Sequence, residues 1–143
     1  MSSPNANSPV ATTLVRGALI LVAERNPVVQ RLERYFLEQA GFSVEFTGDG
    51  VAALARAREL RPQILVTEIL VPKLDGLSLC RTIKSSPETS GILVMVFSHL
   101  QAEDRATEAG ADAFLAKPLD EELLIETVEK LLALRKKSAG DET

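Results

Sequence analysis

Residue types that carry chemistry fall just past the ends of short apolar runs. Glu24 and Arg25 follow the first run, Glu68 a later one, Ser98 and His99 the next, and Lys117 the last. Brought together, they make a cluster of acids, bases, a hydroxyl and an imidazole. A charge beside a buried strand is costly unless paired, so one meaning of the cluster is a structural ion-pair network. The other is an active or binding site, because coupled charges in a cleft are where titrations are tuned for function. His99 is the single histidine, and no Ser or Cys nucleophile with a carboxylate partner stands out. One histidine and one cysteine, Cys80, make no zinc site. Cys80 reads as a small buried hydrophobe, and His99 as part of a binding surface.

The elements that must hold these residues follow from periodicity. Residues 18–23 form a short continuous apolar run, the pattern of a parallel strand buried on both faces. Asn26 and Pro27 open a helix as N-cap and first helical residue. Val28, Val29, Leu32, Tyr35, Phe36 and Ala40 then recur at helical spacing up to Gly41. Residues 42–47 alternate as a second strand. Asp49 caps a second helix that reaches Leu60 before Pro62 stops it, with Val51, Ala52, Leu54 and Ala55 apolar. Residues 64–67 are a third strand, 77–84 a short helix after the Asp75-Gly76 turn, and 92–97 a strongly apolar fourth strand. Residues 101–109 are a mostly polar helix with a thin face of Ala102, Ala106 and Ala109, ended by Gly110. Residues 111–116 are the fifth strand. Asp120 caps a fifth helix whose acids Glu121 and Glu122 and terminal bases Arg135, Lys136 and Lys137 suit the helix dipole. Leu123, Leu124, Val128, Leu131 and Leu132 form its apolar face.

Five strands alternating with five helices imply an α/β fold, a parallel sheet covered on both faces. Ligands in such sheets sit beyond the C-terminal strand ends, where strand order reverses. By this reading those ends hold Glu24, Arg25, Glu68, Ser98, His99 and Lys117.

Around this domain, taken as residues 17–135, residues 1–16 read as a polar, disordered leader and 136–143 as a polar, frayed tail. The net charge of −4 argues against nucleic-acid binding. No apolar run approaches the roughly 18 residues of a membrane span, and the N-terminus lacks a signal-peptide layout. A soluble protein of the cytoplasm is the expectation, which the lone cysteine suits.

Residues 20–27 (ILVAERNP), 64–76 (ILVTEILVPKLDG), 94–99 (VMVFSH) and 109–118 (AGADAFLAKP) stand in an order and spacing that resemble bacterial response-regulator receiver domains. The resemblance covers residues 18–134. It implies the flavodoxin-like sheet of order 2-1-3-4-5, and a cis peptide at Lys117-Pro118. It also implies a site in which an aspartate accepts a phosphoryl group beside a divalent cation. By position, Ser98 is the hydroxyl that binds the phosphoryl group, Lys117 the lysine and Phe114 the switch aromatic of the fifth strand, although Phe114 also suits simple core. Glu24 takes the first acidic position. Arg25 replaces a metal ligand, and Glu68 replaces the phosphoacceptor aspartate.

These departures change the electrostatics. Glu24, Glu68, Arg25 and Lys117 sum to zero, so the site no longer demands Mg²⁺, and a hard cation lacks its oxygen ligands. Arg25 has a planar fork suited to pairing with Glu24 or Glu68 in the metal's place. The expectation is a pseudo-receiver with no metal, no cofactor and weak or absent Mg²⁺ binding. It would be a non-enzymatic module for protein partners on the face of helix four, strand five and helix five, where Glu103, Arg105 and Phe114 lie, and a monomer or weak homodimer. Glu68 near Lys117 and Ser98 either mimics the phosphorylated state in part or serves a neutral scaffold. The alternatives are a working phosphoacceptor in a two-component phosphorelay and, from another class, a flavin-binding protein of the same topology. The loop Glu24-Arg-Asn-Pro27 offers little to a flavin phosphate.

Overall fold

The computed structural model describes residues 17–141. The expected leader, residues 1–16, lies outside the described residues. Strands β1 (Leu19–Ala23), β2 (Ser43–Thr47), β3 (Ile64–Thr67), β4 (Leu93–Ser98) and β5 (Ala113–Ala116) alternate with helices α1 (Pro27–Gln39), α2 (Gly50–Leu60), α3 (Gly76–Ser85), α4 (Glu103–Glu108) and α5 (Glu121–Asp141). All strand pairs are parallel and the order is β2-β1-β3-β4-β5. The sheet is the expected flavodoxin-like one.

Strand side chains alternate between two apolar layers. Leu21, Ala23, Leu65, Val94 and Val96 meet Ala53 and Ala57 of α2, Leu79, Cys80 and Ile83 of α3, and Ala106 of α4. Ile20, Val22, Val66, Met95 and Phe97 meet Leu37 of α1 and Leu124, Val128 and Leu131 of α5. Three helices therefore cover one face of the sheet and two the other.

Local signals act as the sequence implies. The Asn26 side chain accepts from the Val28 amide at 2.9 Å, Asp49 from Ala52 at 2.7 Å and Asp120 from Leu123 at 3.0 Å. The thin alanine face of α4 is fully inward, with Ala102, Ala106 and Ala109 all buried. The helix itself is shorter than expected, because Ala102 stands at its N-cap and provides no side-chain hydrogen bond.

Three readings need correction. Val28, Leu32 and Tyr35 do not face the core. They are 55%, 43% and 59% exposed, and the buried residues of α1 are Glu33 and Leu37, with Val29, Phe36 and Ala40 half-buried beside them. Leu123, placed on the apolar face of α5, is likewise exposed. The frayed tail is instead helical to Asp141, since Lys136, Lys137 and Ala139 favour continuation of a helix.

Candidate functional site

Strand ends and the turns behind them place the cluster. Glu24 follows β1 and is buried. Its Oε2 accepts from the Asn26 amide at 3.1 Å, and Gln30 of α1 donates to its carbonyl. Glu68 follows β3 and is 5% exposed. Its Oε1 accepts from the Ile69 amide at 2.6 Å and the Leu70 amide at 3.4 Å. Gly76 packs close behind it. A Cβ on Gly76 would come 2.2 Å from the Glu68 carbonyl oxygen, so the chain passes here only without a side chain. The Gly76 amide donates to Ile69 at 2.9 Å, which closes the β3–α3 loop beneath the carboxylate.

Lys117, at the end of β5, bridges the two acids. Its Nζ lies 3.0 Å from Glu24 Oε1 and 2.9 Å from Glu68 Oε2, above the Phe97 ring at 5.3 Å. The peptide that follows, Lys117-Pro118, is cis. Burial disfavours the Lys117 charge, but its hydrogen bonds to Glu68 and Glu24, with their charges, outweigh that and hold its pKa above the usual ammonium value. Burial likewise works to raise Glu68, yet the Ser98 hydroxyl, the Lys117 ammonium and the Ile69 amide together hold it below the usual carboxylate value. Ser98 is fully buried, and its Oγ also accepts from the Leu100 amide at 3.2 Å.

Glu24, Glu68, Ser98 and Lys117 thus converge as the sequence implied. His99 reaches the edge of the group, with Nδ1 3.8 Å from Glu68 Oε2 and an exposed ring. Phe114 is half-buried against the α2–α4 layer. With His99, Arg105 and Lys117 it lines an open cavity of about 690 Å³ between α4 and β5.

Arg25 does not take the place expected of it. It is exposed and makes no ion pair among the described residues. Side chains alternate as the chain leaves β1, so Glu24 turns inward and Arg25 outward. The bridging position belongs to Lys117. Glu33 of α1 was missed altogether. It is 1% exposed, its Oε1 has no hydrogen-bond partner, and Glu24, Lys117 and Glu68 all act on it electrostatically. A signal was present: Val29, Glu33, Phe36, Leu37 and Ala40 fall on one helical face.

The flavodoxin-like sheet, with acids after β1 and β3, a hydroxyl ending β4 and a lysine after β5, defines a receiver-type signalling domain. Residues 20–129 match the response regulator receiver domain, and the chain belongs to that family. It is 32% identical over 116 residues to the DNA-binding dual master transcriptional regulator RpaA of Synechocystis, and 37% identical over 114 residues to the response regulator MprA of Mycobacterium leprae. Each match takes in 79% of this chain but only 48% and 50% of those proteins, so the chain spans about half their length. Among solved structures, a response regulator of Chloroflexus aurantiacus superposes with a TM-score of 0.79 at 26% identity, covering 82% of this chain and 99% of that one. The receiver domain of the Pseudomonas aeruginosa sensor histidine kinase PA1611, which has magnesium in its active-site cleft, gives 0.76 at 27% identity, covering 82% and 98%. No helix among the described residues is long and apolar enough to cross a membrane.

Proposed function

We propose that this chain is a receiver-family module that signals through protein contacts without phosphorylation. The observation that carries the reading is the Lys117 bridge. Phosphoryl transfer depends on positioning and charge neutralisation, with the acceptor oxygen free to attack and a cation over the transferred group. Here one oxygen of Glu68 accepts from two backbone amides and the other binds Lys117. Glu24, the inward acid after β1, binds the same ammonium. Arg25, which stands where the family has a further acid, faces outward and supplies no oxygen. Among the described residues no group of three His, Cys, Asp or Glu side chains is arranged to hold a metal ion. A hard divalent cation needs six or more oxygens, several of them from protein, so Mg²⁺ binding is weak in this reading. The partner is a protein of a signalling pathway, bound in the cytoplasm through α4, β5 and α5, where Phe114, Glu103 and Arg105 border the cavity.

Kinship to response regulators favours the alternative, a working phosphoacceptor. One experiment separates the two readings. The purified chain is incubated with a small-molecule phosphodonor and Mg²⁺ beside a conventional receiver, and the intact mass is read. The expected result is no adduct on this chain, and none on a Glu68→Asp variant, because Arg25 still denies the metal its ligand. A stoichiometric, Mg²⁺-dependent adduct on the unaltered chain overturns the proposal.

A further inference from the structure

Glu33 has no part in the reading above. It lies one helical turn before Leu37 on the inward side of α1, next to the apolar layer that Leu37 shares with Val22, Phe97, Leu124 and Val128. It is 1% exposed, and Oε1 lacks any hydrogen-bond partner. Burying a carboxylate with one oxygen lacking a donor disfavours its charged form and favours the protonated one. Burial first, then the charge on Glu24, push its pKa up to about 8, with Glu68 adding and Lys117 opposing.

The groups that act on it come from three strand ends: Glu24 after β1, Glu68 after β3 and Lys117 after β5. From α5 the layer presents Leu124 and Val128, while Glu121, Glu122 and Glu126 open instead onto a groove with Phe36 and Ala40. On α1 itself, Arg34 is turned outward onto the Phe46 ring and Glu38. Lys117, whose ammonium sits 5.3 Å over the ring of Phe97 in the same apolar layer as Leu37, is the cation placed to act on this carboxyl.

We propose that Glu33 is a proton-binding site coupled to the Lys117 bridge, and that release of its proton draws the Lys117 ammonium away from Glu68 and Glu24. With Glu33 protonated, two carboxylates share one ammonium, which is the arrangement observed. With Glu33 ionised, three carboxylates compete for it, and Oε1 of Glu33 has no hydrogen-bond donor. The four-carbon stem of lysine gives the ammonium reach. The domain would then take a proton as its input at the place where its relatives are read for a phosphoryl group. The inference goes beyond the proposed function and stands apart from it, since a phosphoryl adduct would leave the buried carboxyl as it is.

The test is carboxyl-carbon and lysine-nitrogen NMR on the labelled full chain and on Glu33→Gln, from roughly pH 5 to 9, the window the raised group would cross. The expected result is a glutamate resonance, absent from Glu33→Gln, with a midpoint near the value of about 8 given above. Glu68 and Lys117 signals should move through that same midpoint in the wild type and stay flat there in Glu33→Gln. His99, 3.8 Å from Glu68, is present in both proteins, so its influence on the Glu68 signal is common to the two. A Glu33 resonance that titrates with the exposed glutamates overturns the site. One that titrates high while Glu68 and Lys117 stay still overturns the coupling. Glu33→Leu, which extends the apolar layer, serves if Glu33→Gln does not fold, and co-titration of the assigned wild-type signals decides if neither does.

Discussion

Replacing Glu33 by Gln should change how stability depends on pH, not merely its level. The folded protein binds the Glu33 proton more tightly than the unfolded chain, with the pKa raised from 4.5 to about 8. Its contribution is therefore complete below the unfolded value and is lost as pH rises through the folded one. Between those limits the unfolded chain binds fewer protons, so stability falls by about 1.4 kcal/mol for each pH unit. The accumulated loss is roughly 3 kcal/mol at neutral pH and roughly 5 kcal/mol above pH 8, a large share of an ordinary domain's stability. Gln keeps the shape and cannot ionise. Its own buried amide adds a penalty that does not vary with pH, so only the slope carries the result. Glu68 and Lys117 leave this window undisturbed: the lowered carboxyl loses its contribution only in acid, the raised ammonium only in strong alkali. Urea titrations followed by circular dichroism at several pH values give the comparison. With an m-value of about 1–3 kcal/mol/M, the difference between the two midpoints should change by about 1–3 M from mild acid to neutral pH, on top of the constant offset from the amide. A separation that stays constant across the series would falsify the reasoning and return Glu33 to the status of an ordinary side chain.

Further perturbations test the frame around the site. Lys117→Met leaves Glu24 and Glu68 without their shared cation and should destabilise by about 3 kcal/mol, the low end for a buried pair because the ammonium is partly wet. Adding Glu24→Gln to Lys117→Met should recover part of that loss in denaturant unfolding. Gly76→Ala forces a Cβ toward the Glu68 carbonyl, 2.2 Å away, and should lower stability by about 1–3 kcal/mol, read as a fall in Tm. Cys80 is fully buried, and burial pushes its thiol up to about 11. It should resist a thiol reagent in the native protein at pH 8 and react once urea unfolds it; rapid native labelling would contradict that packing.

The fold was legible because its signals are local and mutually consistent. Strands such as Ile64–Thr67 are apolar on both faces, which only a doubly covered parallel sheet requires, and Asn26, Asp49 and Asp120 each cap the helix they precede. Most of the site was legible for the same reason, since chemistry in such a sheet collects past the strand ends. The errors came where direction matters more than position. Arg25 stands at the right place in the chain, but its side chain leaves the sheet on the wrong side. Val28, Leu32 and Tyr35 follow a helical period that is equally compatible with a stripe facing solvent. Glu33 interrupts the true inward stripe, and a charged residue within a run of Val, Phe, Leu and Ala is easily counted as surface.

The Lys117–Glu24 contact joins residues 93 apart in the chain. Closing so long a loop must be met in entropy before the contact rewards it, so local turns and the central strands assemble first. The tie that draws the ends of β1, β3 and β5 together then belongs to the late stage of folding, after the barrier. Its loss should leave the folding rate nearly unchanged and hasten unfolding by roughly two orders of magnitude for a 3 kcal/mol effect. The residue that organises the rim of the sheet is thereby also the latch on the native state, setting how long the domain stays folded more than how fast it forms.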